Sequence, residues 1–329
     1  MTKSVGILGI GAYVPEKLLT NEDMEKMVET SDQWITERTG IKERHIAAPE
    51  QATSDLAYNA AKMALEDAQV APEEIDLIIL ATATADHIFP SCACELQAKL
   101  GCKNAGAFDL AAGCSGFVYD LIVASQMIKG GTFKKILIVG AETLSRIVNW
   151  EDRNTCVLFG DGAGAAVVGE VEEGYGVLGL DMGADGKGGP HLIQPGGGSR
   201  MPATPESAAN KEHTIHMNGT EVFKFAIQIM GKTAKRALEN ANMQPEELDM
   251  LFPHQANMRI ITSAAKRLKM PMDKVWVNVN KYANTSAASI PIALTEAQRA
   301  GKLKKGMNII LDGFGAGLTW GAVVLKWSK

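Results

Sequence analysis

Residues 60–79 read AAKMALEDAQVAPEEIDLII and residues 233–252 read TAKRALENANMQPEELDMLF, and these two stretches decide the fold. Half of their positions are identical at an offset of 173, the step from Pro72 to Pro245. In each, apolar residues recur at helical spacing, a Pro-Glu-Glu turn follows, and a short apolar run closes the unit as a buried strand. The repeat splits the chain near residue 172 into two similar α/β halves, 1–172 and 173–329. The ends of the halves echo each other as well. Phe159-Gly-Asp-Gly-Ala-Gly164 leads into a strand over Ala165–Val168, and Gly313-Phe-Gly-Ala-Gly317 leads into one over Gly321–Leu325. Nearly continuous apolar strands at Ile75–Leu80, Ile136–Val139 and Met307–Leu311 alternate with helices. That pattern predicts mixed sheets covered on both faces. The stretch Asp185–Asn218, rich in Gly, Pro and Ser, reads as a long loop or flap of the functional kind.

Composition sets the outer bounds. With 329 residues, 46% hydrophobic and 22% charged, the chain is an ordinary globular protein with ample core. A net charge of −5 gives no global field for nucleic acid. No apolar run approaches a membrane span. Met-Thr-Lys followed by Val5–Val14 imitates a leader faintly, but it runs into Pro15-Glu16-Lys17 without a cleavage pattern. Cysteines 92, 94, 102, 114 and 156 make an odd count, the usage of a reducing cytoplasm rather than a disulfide scaffold. Cys92, Cys94 and Cys102 lack metal-ligand spacing, and their only near histidine is His87, so no metal is expected.

Ala112-Gly-Cys-Ser-Gly116 places a thiol between the apolar run 105–110 and the buried helix predicted over 117–128. A cysteine at a helix N-terminus feels the macrodipole and free N–H groups, which predicts a lowered pKa and a reactive thiolate. The offset of 173 carries Cys114 to position 287, inside Asn284-Thr-Ser-Ala-Ala-Ser289. That segment lies between a strand predicted over Val275–Val279 and a helix over Ile290–Arg299. His254, in Pro253-His-Gln-Ala-Asn257, follows the repeated strand 248–252. Taken singly, Asn284 reads as a helix N-cap. Together, thiol, imidazole and amide all sit beyond strand C-terminal ends, where α/β sheets build their sites.

These segments resemble the thiolase superfamily and, within it, the 3-oxoacyl-(acyl-carrier-protein) synthase III family. The resemblance spans essentially the whole chain. It includes Thr30-Ser-Asp-Gln-Trp34, Arg38-Thr-Gly-Ile41, Phe159–Gly164, Pro253–Asn257, Asn284–Ser289 and Gly317-Leu-Thr-Trp-Gly321. It implies two duplicated halves in five α-β-α-β-α layers, a cytoplasmic homodimer, and no cofactor beyond the CoA thioester substrates. It also implies a reaction: Cys114 takes a short acyl group from acyl-CoA, then malonyl-acyl-carrier protein loses CO2 and its carbanion attacks the acyl-cysteine. The N–H groups of Cys114 and Ala316 would form the oxyanion hole, with His254 and Asn284 as donors to the enolate. For CoA the resemblance points to Thr30, Trp34, Arg38, Arg153 and Asn257, with Trp34 and Arg153 sandwiching the adenine. Phe89 resembles a residue that closes the partner's acyl pocket, and Phe314 a gate beside Cys114. Ala316 stands where Gly is common in the family, Gly113 where Ala often occurs and Asn154 where Gly may occur.

Arg259, Lys266, Arg267 and Lys269 fall on one predicted helix after His254, and Arg259, Lys266 and Arg267 are candidates for docking an acidic carrier protein. Gly6, Gly9 and Gly11 imitate a dinucleotide loop, but Pro15 follows where a helix should begin, so strand and turn fit better. A papain-like protease would carry its cysteine in a different local motif near the N-terminus. Type III polyketide synthases share the Cys-His-Asn set but are usually longer and extend with malonyl-CoA.

Overall fold

Both copies of the repeat are wired alike. The computed structural model describes residues 3–329; Met1 and Thr2, the start of the leader-like stretch, lie outside the described residues. Helices Thr53–Ala68 and Gly219–Asn240 end in the single 3₁₀ turns Pro72–Glu74 and Pro245–Glu247, followed by strands Leu77–Ala81 and Met250–Pro253. The carboxylate of Glu247 accepts the Gln244 amide at 2.7 Å, and Glu74 accepts that of Ala71 at 3.5 Å. One step on, Asp76 accepts the amides of Lys134 and Lys135 at 2.7 and 3.0 Å, and Asp249 accepts that of Asn308 at 2.8 Å. The shared Pro-Glu-Glu-x-Asp letters therefore stop the turn and pin each strand to its neighbour.

A five-stranded sheet runs in the order Val5–Tyr13, Gly162–Glu170, Lys135–Glu142, Leu77–Ala81, Gly106–Leu110. The four-stranded sheet runs Gly176–Ala184, Thr319–Lys326, Asn308–Gly315, Met250–Pro253, the same order position by position. A lone parallel pairing of Leu251 with Val275 marks where its fifth strand would lie. In both sheets the two outer-end pairings are antiparallel, and the pairing of 77–81 with 135–142 matches the parallel pairing of 250–253 with 308–315.

Helices 53–68 and 92–100 cover the outside of the first sheet, and 219–240 and 258–267 cover the outside of the second. Helices Gly116–Lys129 and Ser289–Arg299 lie between the sheets, where Phe117, Leu121, Ile290 and Leu294 meet Ile79, Ile138, Phe252 and Leu311 in one continuous core. These are the five α-β-α-β-α layers. Strands buried on both faces explain the unbroken apolar runs. Gly9 and Gly11 lie in the first strand under helix 53–68, and a Cβ on either would approach backbone atoms of that helix to 2.3 Å. They are packing glycines and not a phosphate loop.

Two expectations are corrected. Val275–Val279 is not a strand: beyond the pairing at Val275 the chain turns into the short helix Val279–Tyr282. The Gln255 side-chain oxygen takes the amides of Asn278 and Val279 at 2.9 and 3.1 Å, the donors that a ladder would have used. The segment 185–218 is ordered rather than a free flap. It holds a 3₁₀ stretch at Gly186–His191, a short helix at Pro205–Ala209, and a two-residue ladder of Leu192–Ile193 with His216–Met217. We propose residue 172 as the boundary between halves, since it falls in the turn joining strand 162–170 to strand 176–184.

Candidate active site

Cys114 lies in the 3₁₀ turn Gly113–Ser115 that opens helix 116–129. Gly113 has φ +52°, and a Cβ there would sit 2.6 Å from the Ala316 nitrogen. A Cβ on Gly315 would come within 2.5 Å of the Cys114 nitrogen. The nucleophile turn and the end of strand 308–315 thus meet backbone to backbone, which only glycine permits on both sides. The Ala316 N–H has no acceptor among the described residues, and the Cys114 N–H sits in the first turn, where helical donors lack partners.

His254 is 1% exposed and follows strand 250–253 directly. Its Nδ1 lies 2.7 Å from the Ser289 hydroxyl, whose oxygen also receives the Gln255 amide at 3.4 Å. Nδ1 is the only acceptor that the Ser289 O–H meets among the described residues, and with that O–H donating, Nε2 is the protonated, donating nitrogen. Burial pushes the His254 pKa down to about 3, so the imidazole is neutral. Asn284 is held by its own backbone, its N–H bonding to the Leu158 carbonyl at 2.9 Å. Its side-chain oxygen accepts the Ser286 amide at 2.8 Å, which leaves its NH2 group as the free end. This is a turn cap at the 3₁₀ segment Ser286–Ala288 and not the N-cap of helix 289–299.

The enclosure of the site acts against the expected thiolate. Burial pushes the Cys114 thiol up to about 12; a Ser286 hydrogen bond acts against the rise and the nearby Glu142 carboxyl adds to it. Desolvation thus opposes the helix end at this thiol.

Cys114, His254, Asn284 and Ala316 line one cavity of about 800 Å³. Its outer part is reached by Trp34, Arg38, Asn257 and Arg259. Two guanidiniums lie over the Trp34 ring, Arg38 at 5.1 Å and Arg153 at 5.4 Å from the ring centroid. The Arg153 guanidinium also donates to the Glu29 carbonyl at 2.8 Å. Asn257 caps helix 258–267 through the Arg259 amide at 2.8 Å and donates to the Arg38 carbonyl at 3.0 Å, so it joins two walls of the cavity. Thr30 and Arg153 stand beside this outer part without lining it, and the Thr30 hydroxyl is buried without a partner. Phe314 is 4% exposed and packs edge-on to His254 at 5.5 Å. Phe89 is 84% exposed and does not line the cavity of its own chain.

The family model of 3-oxoacyl-(acyl-carrier-protein) synthase III matches residues 108–186, and the model of that family's C-terminal part matches 238–327. A beta-ketoacyl-(acyl-carrier-protein) synthase III from Caldanaerobacter subterraneus is 61% identical over 99% of this chain and 98% of its own. The chain belongs to the synthase III family. A Clostridioides difficile member is 54% identical over the full length of both chains. The crystal structure of the Aquifex aeolicus 3-oxoacyl-(acyl-carrier-protein) synthase III, 49% identical, superposes with a TM-score of 0.91 over 98% of this chain and 100% of that one.

Within this synthase III fold, Arg259 and Lys266 are exposed on helix 258–267, whereas the Arg267 stem packs over Gly231 and lines a separate cleft with Lys235 and Lys269. Leu192, Gln194, Ile215 and Met217 from segment 185–218 form a cavity wall that sequence reading did not resolve into residues. Ser286, Ser289 and Glu142 were also missed. The first two sit inside the quoted motif as small polar letters, and Glu142 ends an apolar run, Ile136–Ala141, where a charged residue is the one visible signal. Among the described residues no group of three His, Cys, Asp or Glu is placed to hold a metal, and no helix is long and apolar enough to cross a membrane.

Proposed function

We propose that Cys114, His254 and Asn284 carry the decarboxylating condensation of an acyl-CoA primer with malonyl-acyl-carrier protein. This reaction starts fatty-acid synthesis. Cys114 attacks the acyl-CoA thioester, the oxyanion is held by the N–H groups of Cys114 and Ala316, and CoA leaves as the acyl-cysteine forms. Malonyl-carrier protein then enters, and Nε2–H of His254 and the Asn284 NH2 donate to its thioester oxygen as CO2 departs. The resulting carbanion attacks the acyl-cysteine and releases the 3-oxoacyl-carrier protein.

The observation that carries this reading is the wiring of the two donors. The Nδ1 of His254 is occupied by Ser289 and the Oδ1 of Asn284 by the Ser286 amide, which leaves only their donating ends for the cavity. A neutral imidazole is what an enolate needs as a hydrogen-bond donor that keeps its proton.

Trp34 and Arg153 would hold the adenine, with Arg153 swinging off the ring to admit it. Thr30, Arg38 and Asn257 would shape the rest of the CoA path, and Phe314 would gate the inner cavity. Arg259, Lys266 and Arg267 would receive the acidic carrier protein. No resident cofactor is needed, because the thioesters are the substrates, and the chemistry suits the cytoplasm. Strand 106–110 is the open edge of the first sheet, with Phe108, Ile88 and Phe89 exposed nearby. A second copy of the chain would cover that edge and receive Phe89 in its acyl pocket. Incubation with acetyl-CoA, followed by peptide mass spectrometry, should place the acetyl group on Cys114. A label elsewhere sinks the assignment.

A further inference from the structure

The two oxyanion donors come from different halves, Cys114 from the turn 113–115 and Ala316 from the loop between strands 308–315 and 319–326. Their segments touch backbone to backbone at Gly113 and Gly315, yet among the described residues no backbone hydrogen bond joins them. Two hydroxyls make the polar join instead. Thr319 Oγ1 lies 2.9 Å from the Ala112 carbonyl oxygen and 3.0 Å from that of Ala316. The fully buried Ser115 hydroxyl lies 2.8 Å from the same Ala112 oxygen and 2.9 Å from Thr319 Oγ1. Two O–H protons thus serve one carbonyl on each side of the seam. The outer side of the loop is held as well, because the Leu318 backbone exchanges two hydrogen bonds with Asp185 at 2.8 and 3.0 Å. Neither Ser115 nor Thr319 lines the cavity, so neither hydroxyl meets substrate.

We propose that Thr319, with Ser115, is a positioning residue that fixes the spacing of the two oxyanion donors across the seam. The Ala316 N–H and carbonyl flank one Cα, so holding the carbonyl holds the residue that presents the donor. Ala112 stands in the same way at the entry to the Cys114 turn. A donor pair helps only if it is already aimed where the oxyanion forms, and small misplacements are costly. The clamp serves acyl transfer and the later attack on the acyl-cysteine, both of which place charge on the acyl oxygen. Loss of CO2 from the malonyl group places charge on a different oxygen, the one that faces His254 and Asn284.

This inference rests on the reading in which Cys114 and Ala316 form the oxyanion hole. Thr319→Val keeps the β-branched shape and removes the hydroxyl, whereas Thr319→Ser keeps the hydroxyl. Single-turnover acetylation by acetyl-CoA should slow about tenfold in Thr319→Val, less than the roughly 10²–10³ that losing a donor outright costs. The acetyl-CoA concentration for half-maximal rate should change less than about twofold, and Thr319→Ser should restore the rate to within about twofold. Alkylation of Cys114 by iodoacetamide, which passes through no oxyanion, should stay within about twofold in both variants, as should decarboxylation of malonyl-carrier protein without primer. The clamp is overturned if Thr319→Val acetylates at the unaltered rate, or if Thr319→Ser is as slow as Thr319→Val. It is equally overturned if alkylation and decarboxylation fall along with acetylation, since that marks a general loss of structure. Should Thr319→Val fail to fold, Ser115→Ala is judged on the same contrast, with acetylation expected to slow about threefold. An acetyl label away from Cys114 in the unaltered protein overturns the clamp together with the reading beneath it.

Discussion

The turns 113–115 and 286–288 share one backbone and divide the chemistry. Both are single 3₁₀ turns before a central helix, and both begin on a left-handed residue, Gly113 at φ +52° and Ser286 at φ +49°. At the offset of 173, Cys114 corresponds to Ala287, His254 to Ala81 and Asn284 to Ala111. Each of these three side chains therefore corresponds to a methyl group in the other half. The pair Ser289 and His254, which hydrogen-bond, corresponds to Gly116 and Ala81. There a Cβ on Gly116 would lie 2.5 Å from the Ala81 Cβ and 3.4 Å from that of Ala287. The second copy of the site is packed shut with the smallest residues. Duplication supplied the scaffold twice, and side chains opened one of the two places to a cavity.

The harshest way to break that comparison is to move the thiol across it. Cys114→Ala should abolish acyl transfer, and adding Ala287→Cys should not restore it, because position 287 is 1% exposed and lies off the cavity. Intact mass after acetyl-CoA treatment reads the outcome, and a label at 287 would show that the closed copy is still competent. Next in size, His254→Ala or Asn284→Ala should cost roughly 10²–10³ in malonyl-carrier decarboxylation and in condensation. Acetylation of Cys114 should stay within a few-fold, and its loss would mean that these donors serve both half-reactions.

A smaller effect sharpens the contrast between Ser289 and Gly116. Ser289→Ala removes one hydrogen bond to Nδ1, a net term of about 1 kcal/mol, so condensation should slow by about fivefold. No change would show that the imidazole keeps its tautomer without Ser289. On the outer layer, helix 92–100 carries Glu95 beside Lys99, while helix 258–267 carries Arg259, Lys266 and Arg267 with no acid. Lys266→Glu should raise KM for malonyl-carrier protein a few-fold and leave KM for acyl-CoA alone. Equal changes in both would remove the docking role.

The fold was legible where a residue's neighbours are near in sequence. The Pro-Glu-Glu turns and the two-face apolar strands act locally, and they give the two halves and their covered sheets. Cys114, His254 and Asn284 were legible because the repeat fixes which turns are equivalent. What escaped depends on distant partners. Gln255 diverts 275–279 from a strand with a side-chain oxygen, and no propensity for Val or Trp reports that. The desolvation that opposes the helix end at Cys114 comes from both halves closing around it, a burden no local motif displays.

Glu142 and His254 also oppose each other thermodynamically, one from each half. His254 has its pKa depressed from 6.5 to about 3, so its contribution to stability is present above pH 6.5 and lost as pH falls toward 3. Glu142 is raised from 4.5 to about 7, so its contribution is present below pH 4.5 and lost as pH rises through 7. Between about pH 4.5 and 6.5 the two slopes cancel, each worth at most about 1.4 kcal/mol per pH unit. His254→Gln should leave the Glu142 slope exposed, with stability falling as pH rises through this window. Glu142→Gln should leave the His254 slope exposed, with stability rising. The buried carboxyls Asp120, Asp161 and Asp312, all raised by desolvation, remain in both variants and drop out of the difference. The urea midpoint of Glu142→Gln relative to that of His254→Gln should therefore rise between pH 5 and 6.5. A difference that stays constant with pH would mean that both groups ionise in the folded protein as they do in the unfolded chain, and the pairing of opposed charges across the halves would fall.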